Sequence, residues 1–313
     1  MINDSKRSGR QMTRRIVCGW FVLVLSLAAL TGGGAGAQTP VGFELTLVDV
    51  DGTKKVLGQL PLTVYAPRIS PDGKRVAFET RDLKGPDGFR LWTADLADPA
   101  GRRPFPLTGV ANWAPMWSPD GERLVFIISG DRPDSLYWQR ADGTGSAEHL
   151  IDTRAAEGWI AGGSQMRFLT LRGNGDYGIA LLDMTSRKVT PFVDLPGSAQ
   201  HSSSISPDGK WMTYASNETG RYEVWMEPFP RSGARLQLTR DGGSHPLWAP
   251  DGRSLYFDRD HQMFRLAVNP QDVTSIGEPT PLPIKGFAQA EYLRQFDLMP
   301  NGRQFVVLVP TER

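Results

Sequence analysis

The 313-residue sequence has one cysteine, four histidines and almost no net charge, with 35 Lys and Arg against 34 Asp and Glu. A balance of +1 excludes a strongly basic nucleic-acid binder and an acidic disordered tail, so no nucleic acid is expected as a partner. The single cysteine, Cys18, lies in an uncharged apolar run over residues 16–30. Residues 38–313 therefore hold none, which excludes thiol catalysis, zinc–thiolate sites and disulfide staples there. No stretch long enough for a substantial helix carries apolar residues at 3.6 spacing. There is no Gly-x-Ser-x-Gly elbow and no Gly-rich loop ending in Lys-Ser or Lys-Thr for nucleotide phosphates. One Gly-x-Gly-x-x-Gly occurs, from Gly173 to Gly178, but between two strands, so it reads as a hairpin loop.

The apolar run has a specific context. Lys6, Arg7, Arg10, Arg14 and Arg15 precede it, and Ala35-Gly36-Ala37 follows it. A basic region, an apolar region and a small-residue cleavage site predict a secretory signal over residues 1–37. Fifteen apolar residues fall short of the about 20 that span a bilayer, so no span is expected after cleavage. Residues 38–313 then carry a net charge of −3 and belong in the periplasm or outside the cell.

Glycine and proline are plentiful, at 34 and 24. They recur in register. Ser70-Pro71-Asp72-Gly73 returns as Ser118-Pro119-Asp120-Gly121, Ser206-Pro207-Asp208-Gly209, Ala249-Pro250-Asp251-Gly252 and Met299-Pro300-Asn301-Gly302. The Asp or Asn positions are separated by 48, 88, 43 and 50 residues. Aligning Gly163 and Phe168 on Gly73 and Phe78 places a hidden copy at Gly162, and the 88 becomes 42 and 46. In each copy proline fixes φ, Asp bonds the local backbone and glycine relieves the last position. An alternating strand follows each turn, then a third strand over 89–96, 135–140, 177–184, 223–228 and 263–268, then a weaker fourth. Four short strands per 42–50 residues predict β-propeller blades. Residues 43–50 and 54–60 form an outer strand pair without an inner one, and the copy after Tyr292 has an inner pair without an outer one. Joined, they complete one blade. The expected fold is all-β: a single six-bladed propeller of four-stranded antiparallel blades over residues 38–313, closed by pairing the terminal strands.

These Ser-Pro-Asp-Gly repeats resemble the WD-like propeller repeat of TolB, and also propellers joined to prolyl-oligopeptidase-type peptidases and bacterial Ser/Thr kinases. The likeness covers about residues 43–313. It implies an exported, non-enzymatic module of the cell envelope that binds a protein or peptide. A monomer without cofactor is expected. The alternative is a secreted propeller enzyme, of carbohydrate lyase or lactonase type, with a metal or polar site at the channel mouth.

The site residues follow from offsets. His201 and His245 stand seven and six residues before a turn Asp, at the start of an innermost strand. The same offsets give Tyr65, Trp113, Ser202, Arg294 and Gln295 as channel-mouth residues. Two histidines fall short of the three convergent ligands a metal ordinarily needs, so no metal is expected. No catalytic residue is assigned.

Overall fold

A computed structural model describes residues 42–60, 63–81, 89–107, 111–130, 134–153, 155–269 and 272–311. The expected signal over residues 1–37 lies outside them. The described chain is all-β and propeller-like. Its only helix among the described residues is one 3-10 turn, Ala161–Gly163.

The turn motif works as its residues require. In the first copy the Ser70 hydroxyl donates to Asp72 at 2.5 Å and accepts from the Arg75 N–H at 2.9 Å, while Asp72 accepts from the Lys74 N–H at 3.0 Å. Gly73 takes φ +72°, a left-handed conformation that a side chain disfavours. The Ser118 and Ser206 copies repeat these bonds. The Ser70 hydroxyl, then the Lys74 N–H, hold the Asp72 carboxyl below its usual range. The hidden copy has none of these side chains and makes the same backbone turn. Gly163 N–H donates to Ile160 and Ile160 N–H to Gln165, as Gly73 does to Ser70 and Ser70 to Arg75.

Each turn joins an inner strand to a second strand. The inner strands are β3 (Val64–Ile69), β7 (Ala111–Trp117), β11 (Ala156–Trp159), β15 (Gln200–Ile205), β19 (Ser244–Trp248) and β24 (Phe296–Leu298). The second strands are β4 (Arg75–Arg81), β8 (Arg123–Ser129), β12 (Gln165–Leu171), β16 (Trp211–Ser216), β20 (Ser254–Arg259) and β25 (Gln304–Thr311). A second strand is covered on both faces, so it is apolar along its length rather than alternating. Val76, Ala77 and Phe78 are all fully buried, as are Leu124, Val125, Phe126 and Ile127. Phe78, Phe126, Phe168 and Phe257 fill the same slot in four copies, and burying each stabilises the fold by about 2 kcal/mol.

Third and fourth strands complete the sheets: β5 (Phe89–Asp95) with β6 (Asp98–Pro104), β9 (Ser135–Arg140) with β10 (Glu148–Asp152), β13 (Tyr177–Asp183) with β14 (Val189–Val193), and β17 (Glu223–Pro228) with β18 (Leu236–Gln237). Gly173 to Asp176 lie in the β12–β13 hairpin loop, closed by Arg172 N–H to Asp176 O at 2.8 Å, and Gly178 is already in β13. The first described strands, β1 (Gly42–Asp49) and β2 (Lys54–Leu60), join the last two in the order β2-β1-β25-β24. β1 and β25 run antiparallel from the pair Gly42–Thr311 to the pair Asp49–Gln304.

Two sheets depart from a uniform four strands. One parallel bridge, Phe89 to Ala111, fuses the β3–β6 and β7–β10 groups into an eight-stranded sheet. The long β21 (Gln262–Asn269) holds β22 (Asp272–Ile276) at its end and β23 (Thr280–Lys285) along its start, making five. Among the described residues no helix is long and apolar enough to cross a membrane.

Candidate functional site

The inner strands share a distortion at their starts. Register shifts interrupt β3 after Tyr65, β7 after Trp113, β15 after His201 and β19 after Ser244. The residues there, Ala66, Ala114, Ser202 and His245, have φ of 50°, 53°, 56° and 53°. Such bulges re-aim side chains and leave a backbone N–H outside the ladder. The neighbouring unit satisfies it. Ala66 N–H donates to Gln295 Oε1 at 3.1 Å, and Ala114 N–H to Glu79 Oε2 at 2.5 Å. Ser202 N–H donates to Glu157, which also accepts from Ser203 N–H at 3.0 Å.

The seven predicted residues divide. His201, Ser202 and His245 come together: His201 Nδ1 lies 2.9 Å from Ser202 Oγ, and the two imidazole centres are 5.6 Å apart. Both histidines are buried, and neither Nε2 has a partner among the described residues. Burial, then the neighbouring His245, lowers the His201 pKa well below its usual 6.5, so this ring is neutral at pH 7. His245 Nδ1 sits 2.8 Å from Asp258, whose other oxygen accepts from Gln289 at 2.7 Å. Arg294 reaches the same region through Phe296, which touches the His245 ring. Its Nη2 donates to Asp297 at 2.7 Å. Gln295 is buried and ties Ala66 to Leu293 O. Tyr65 lies under the Arg81 guanidinium at 4.3 Å, and Trp113 donates to Ser129 at 2.8 Å. Those two do not join the histidines.

Sequence offsets missed other members. Tyr222 and Tyr292 stack edge-on against His201, at 4.6 and 5.4 Å. Desolvation, then hydrogen bonding to Glu291, pushes the Tyr292 phenol up to about 12. Glu79 is fully buried beside Arg81 at 2.6 Å. Burial, then the charge of Arg294, lowers the Arg68 guanidinium to about 10. Arg167 is also pushed down to about 10, by burial, with Glu157 opposing the shift. Desolvation raises the Glu157 carboxyl. A signal for some of these was present. Glu79 and Asp258 occupy a slot that holds Ile127, Leu169, Ala215 and Leu308 in other copies, and Arg167 one that holds Ala77, Val125, Thr213, Tyr256 and Val306. A charge in a buried apolar slot needs a partner and marks a site.

Among the described residues no three His, Cys, Asp or Glu side chains are placed to hold a metal ion. The two phenols pack against His201, while His245 packs against His201 and Phe296, and both Nε2 atoms are buried.

Comparison with known proteins gives the family. The chain is 28% identical over 222 residues to the Uncharacterized peptidase YuxL of Bacillus subtilis, covering 68% of this chain and 32% of that one. It thus spans about a third of that relative's length. Its fold is similar to a TolB candidate of Agrobacterium tumefaciens, with TM-score 0.71 and 16% identity over 88% of this chain and 100% of that one. It is also similar to TolB from Acinetobacter baumannii, with TM-score 0.57 and 19% identity over 77% and 64% of the two chains. A family model described as the TolB beta propeller domain matches residues 34–269. The chain therefore belongs to the TolB β-propeller domain family.

Proposed function

We propose that this chain is an exported propeller that binds a protein or peptide of the cell envelope without catalysing a reaction. The observation that carries this reading is the gathering of His201, His245, Tyr222, Tyr292 and Arg294 at the inner-strand starts, from separate units of the repeat. In this reading residues 1–37 are a cleaved signal, and residues 38–313 form one ring of six blades around a channel. Closure is supported by the β1–β25 pairing and by Pro300, which a Cβ on Gly73 would meet at 3.4 Å, as a Cβ on Gly121 would meet Pro71 at 3.5 Å. The channel mouth, formed by Tyr65, Trp113, His201, Ser202, His245, Arg294 and Gln295, faces the partner.

Pull-down from an envelope extract tests it. The wild-type chain is expected to retain a defined partner that Trp113→Ala, His245→Ala and Arg294→Ala lose. Retention by all three variants overturns the channel-mouth assignment. N-terminal sequencing of the exported chain is expected to begin at Gln38.

A second reading, a secreted enzyme of lyase or lactonase type with a metal or polar site at the channel mouth, rests on the two Nε2 atoms that have no partner among the described residues. Stoichiometric metal after purification without chelator, lost in His201→Ala, favours that reading over the binding module.

A further inference from the structure

A cleft of about 380 Å³ is lined by Thr219, Gly220, Arg221, Glu223, Gln237 and Arg240. The β16–β17 turn supplies the first three, and β18 with the segment after it supplies the last two. The cleft borders the histidine cluster. Tyr222, next to Arg221 in the chain, packs on the His201 ring at 4.6 Å, and its carbonyl accepts from Gly243 N–H at 2.9 Å.

One buried acid organises the cleft. Glu223 is 1% exposed. Its Oε1 accepts from Arg221 Nε at 2.7 Å, its Oε2 from the Thr239 hydroxyl at 2.5 Å, and both share the Gly242 N–H at 3.0 Å. Thr239 is buried too and accepts from Val224 N–H at 2.8 Å. A carboxylate held at so many points fixes the Arg221 stem, which lowers the cost of ordering it on a ligand. Because Nε is engaged with Glu223, the two Nη groups remain for other contacts. Their one acidic neighbour outside Glu223, among the described residues, is Asp241 at 3.6 Å from Nη2, too long for a hydrogen bond. The other acid of the turn, Glu218, is committed to Arg235 at 3.0 and 3.2 Å. Arg240 joins no ion pair or hydrogen bond among the described residues. Arg221 keeps 56% of its side chain exposed, so a partner reaches it from solvent.

We propose that this cleft binds an acidic side chain of a peptide partner, with Arg221 as the fixed anchor, Arg240 as the second contact and Asp241 as a competitor that the incoming carboxylate displaces. Paired N–H groups of a guanidinium match the two oxygens of a carboxylate. A monoanion has only to replace Asp241 beside Arg221, whereas a phosphate dianion also meets the charge of Glu223. The site deepens the binding-module reading and rests on it for the source of the carboxylate.

The experiment is an NMR titration of the isotope-labelled full chain at constant ionic strength. The probes are acetyl-Gly-Glu-Gly-amide, its Gln counterpart and inorganic phosphate, and the signals followed are the Gly220 and Gly242 amides and the Arg221 Nε–H. The Glu peptide is expected to shift these signals and to bind about fivefold tighter than the Gln peptide, the upper margin of an exposed ion pair. Arg221→Met is expected to abolish that preference, and Arg240→Met to reduce it. Asp241→Asn is expected to tighten the Glu peptide about threefold, a gain that a merely structural role for these residues does not give. Equal binding of the two peptides overturns the site, and so do shifts that bypass Gly220 and Gly242. Phosphate binding tighter than the Glu peptide overturns the carboxylate assignment, and an Asp241→Asn chain with unchanged or weaker binding overturns the competitor role. If Arg221→Met fails to fold, Arg240→Met decides in its place, since Arg240 holds nothing else in the described structure. Absence of any envelope partner while the Glu peptide still binds refutes the binding module and leaves the cleft standing.

Discussion

The two ends of the inner strands are built on opposite principles. At one end, Ser70, Ser118 and Ser206 repeat the same hydroxyl bridge to the same Asp, and a proline often lies against the glycine of the next turn. At the other end the backbone repeats while the side chains do not: Ala66, Ala114, Ser202 and His245 share one left-handed bulge and nothing else. The partner that satisfies the bulge differs too, being Gln295, Glu79 or Glu157. Repetition marks what any blade needs. The bulge keeps one backbone from copy to copy and varies its side chains.

The strongest way to break that contrast is to remove a varied residue that also holds the fold. Glu79→Ala leaves the Ala114 N–H and the Arg81 guanidinium without their acceptor. Losing one partner of a buried pair costs about 3 kcal/mol, expected as a lower urea midpoint at unchanged slope. Next come the turn glycines. A Cβ at Gly302 would meet Pro250 at 2.9 Å, whereas Gly209, with φ +71°, has open space beside it. Gly209→Ala is expected to cost about 1 kcal/mol for the left-handed backbone, and Gly302→Ala about 1 kcal/mol more for overpacking. Equal losses in thermal unfolding would show that turn-to-turn packing is dispensable.

The glycine contrast also explains what the sequence revealed. The unit before Gly209 carries Ala161 where its counterparts have proline, and the missing proline is what leaves Gly209 uncovered. The repeat, the hidden turn at Gly162 and the third strands were legible because turn chemistry depends on neighbours in the chain. His201 and His245 were singled out because they lie seven and six residues before a turn Asp, at the starts of inner strands. Tyr222 and Tyr292 were not, since they reach His201 from loops outside any repeat position. Nor was the fused eight-stranded sheet, which depends on one bridge between Phe89 and Ala111. Arg167 was not marked by its sequence position, which holds Thr213 and Tyr256 in other copies, and its route over Gly158 follows only from three dimensions.

A smaller effect tests the repeated end alone. Ser70→Ala removes the hydroxyl that joins Asp72 to the Arg75 N–H, which leaves the backbone bond from Ser70 N–H to Arg75 O in place. A loss of about 1 kcal/mol is expected, the net value of one such hydrogen bond. Ala249 already stands at this position in another copy, and Asp251 there still accepts from Arg253 N–H at 2.9 Å. Because the same exchange occurs naturally within the chain, partner binding at the far end of the strand is expected to be unchanged in Ser70→Ala.

The last and most delicate test concerns acid. His201 is held neutral by burial and by His245, so its folded-state pKa lies well below 6.5 while the unfolded chain keeps the ordinary value. Below pH 6.5 the unfolded state then binds more protons than the folded one. Stability from this group is therefore full above 6.5 and declines as pH falls past it. Urea midpoints measured from pH 7.5 to 5 are expected to fall for the wild type and to fall less for His201→Gln, which cannot take up the proton. The Ser70→Ala chain should keep the wild-type slope, since its altered end holds no histidine. If His201→Gln keeps the wild-type slope, the acid sensitivity belongs elsewhere, and the varied end differs from the repeated end in its contacts but not in its response to protons.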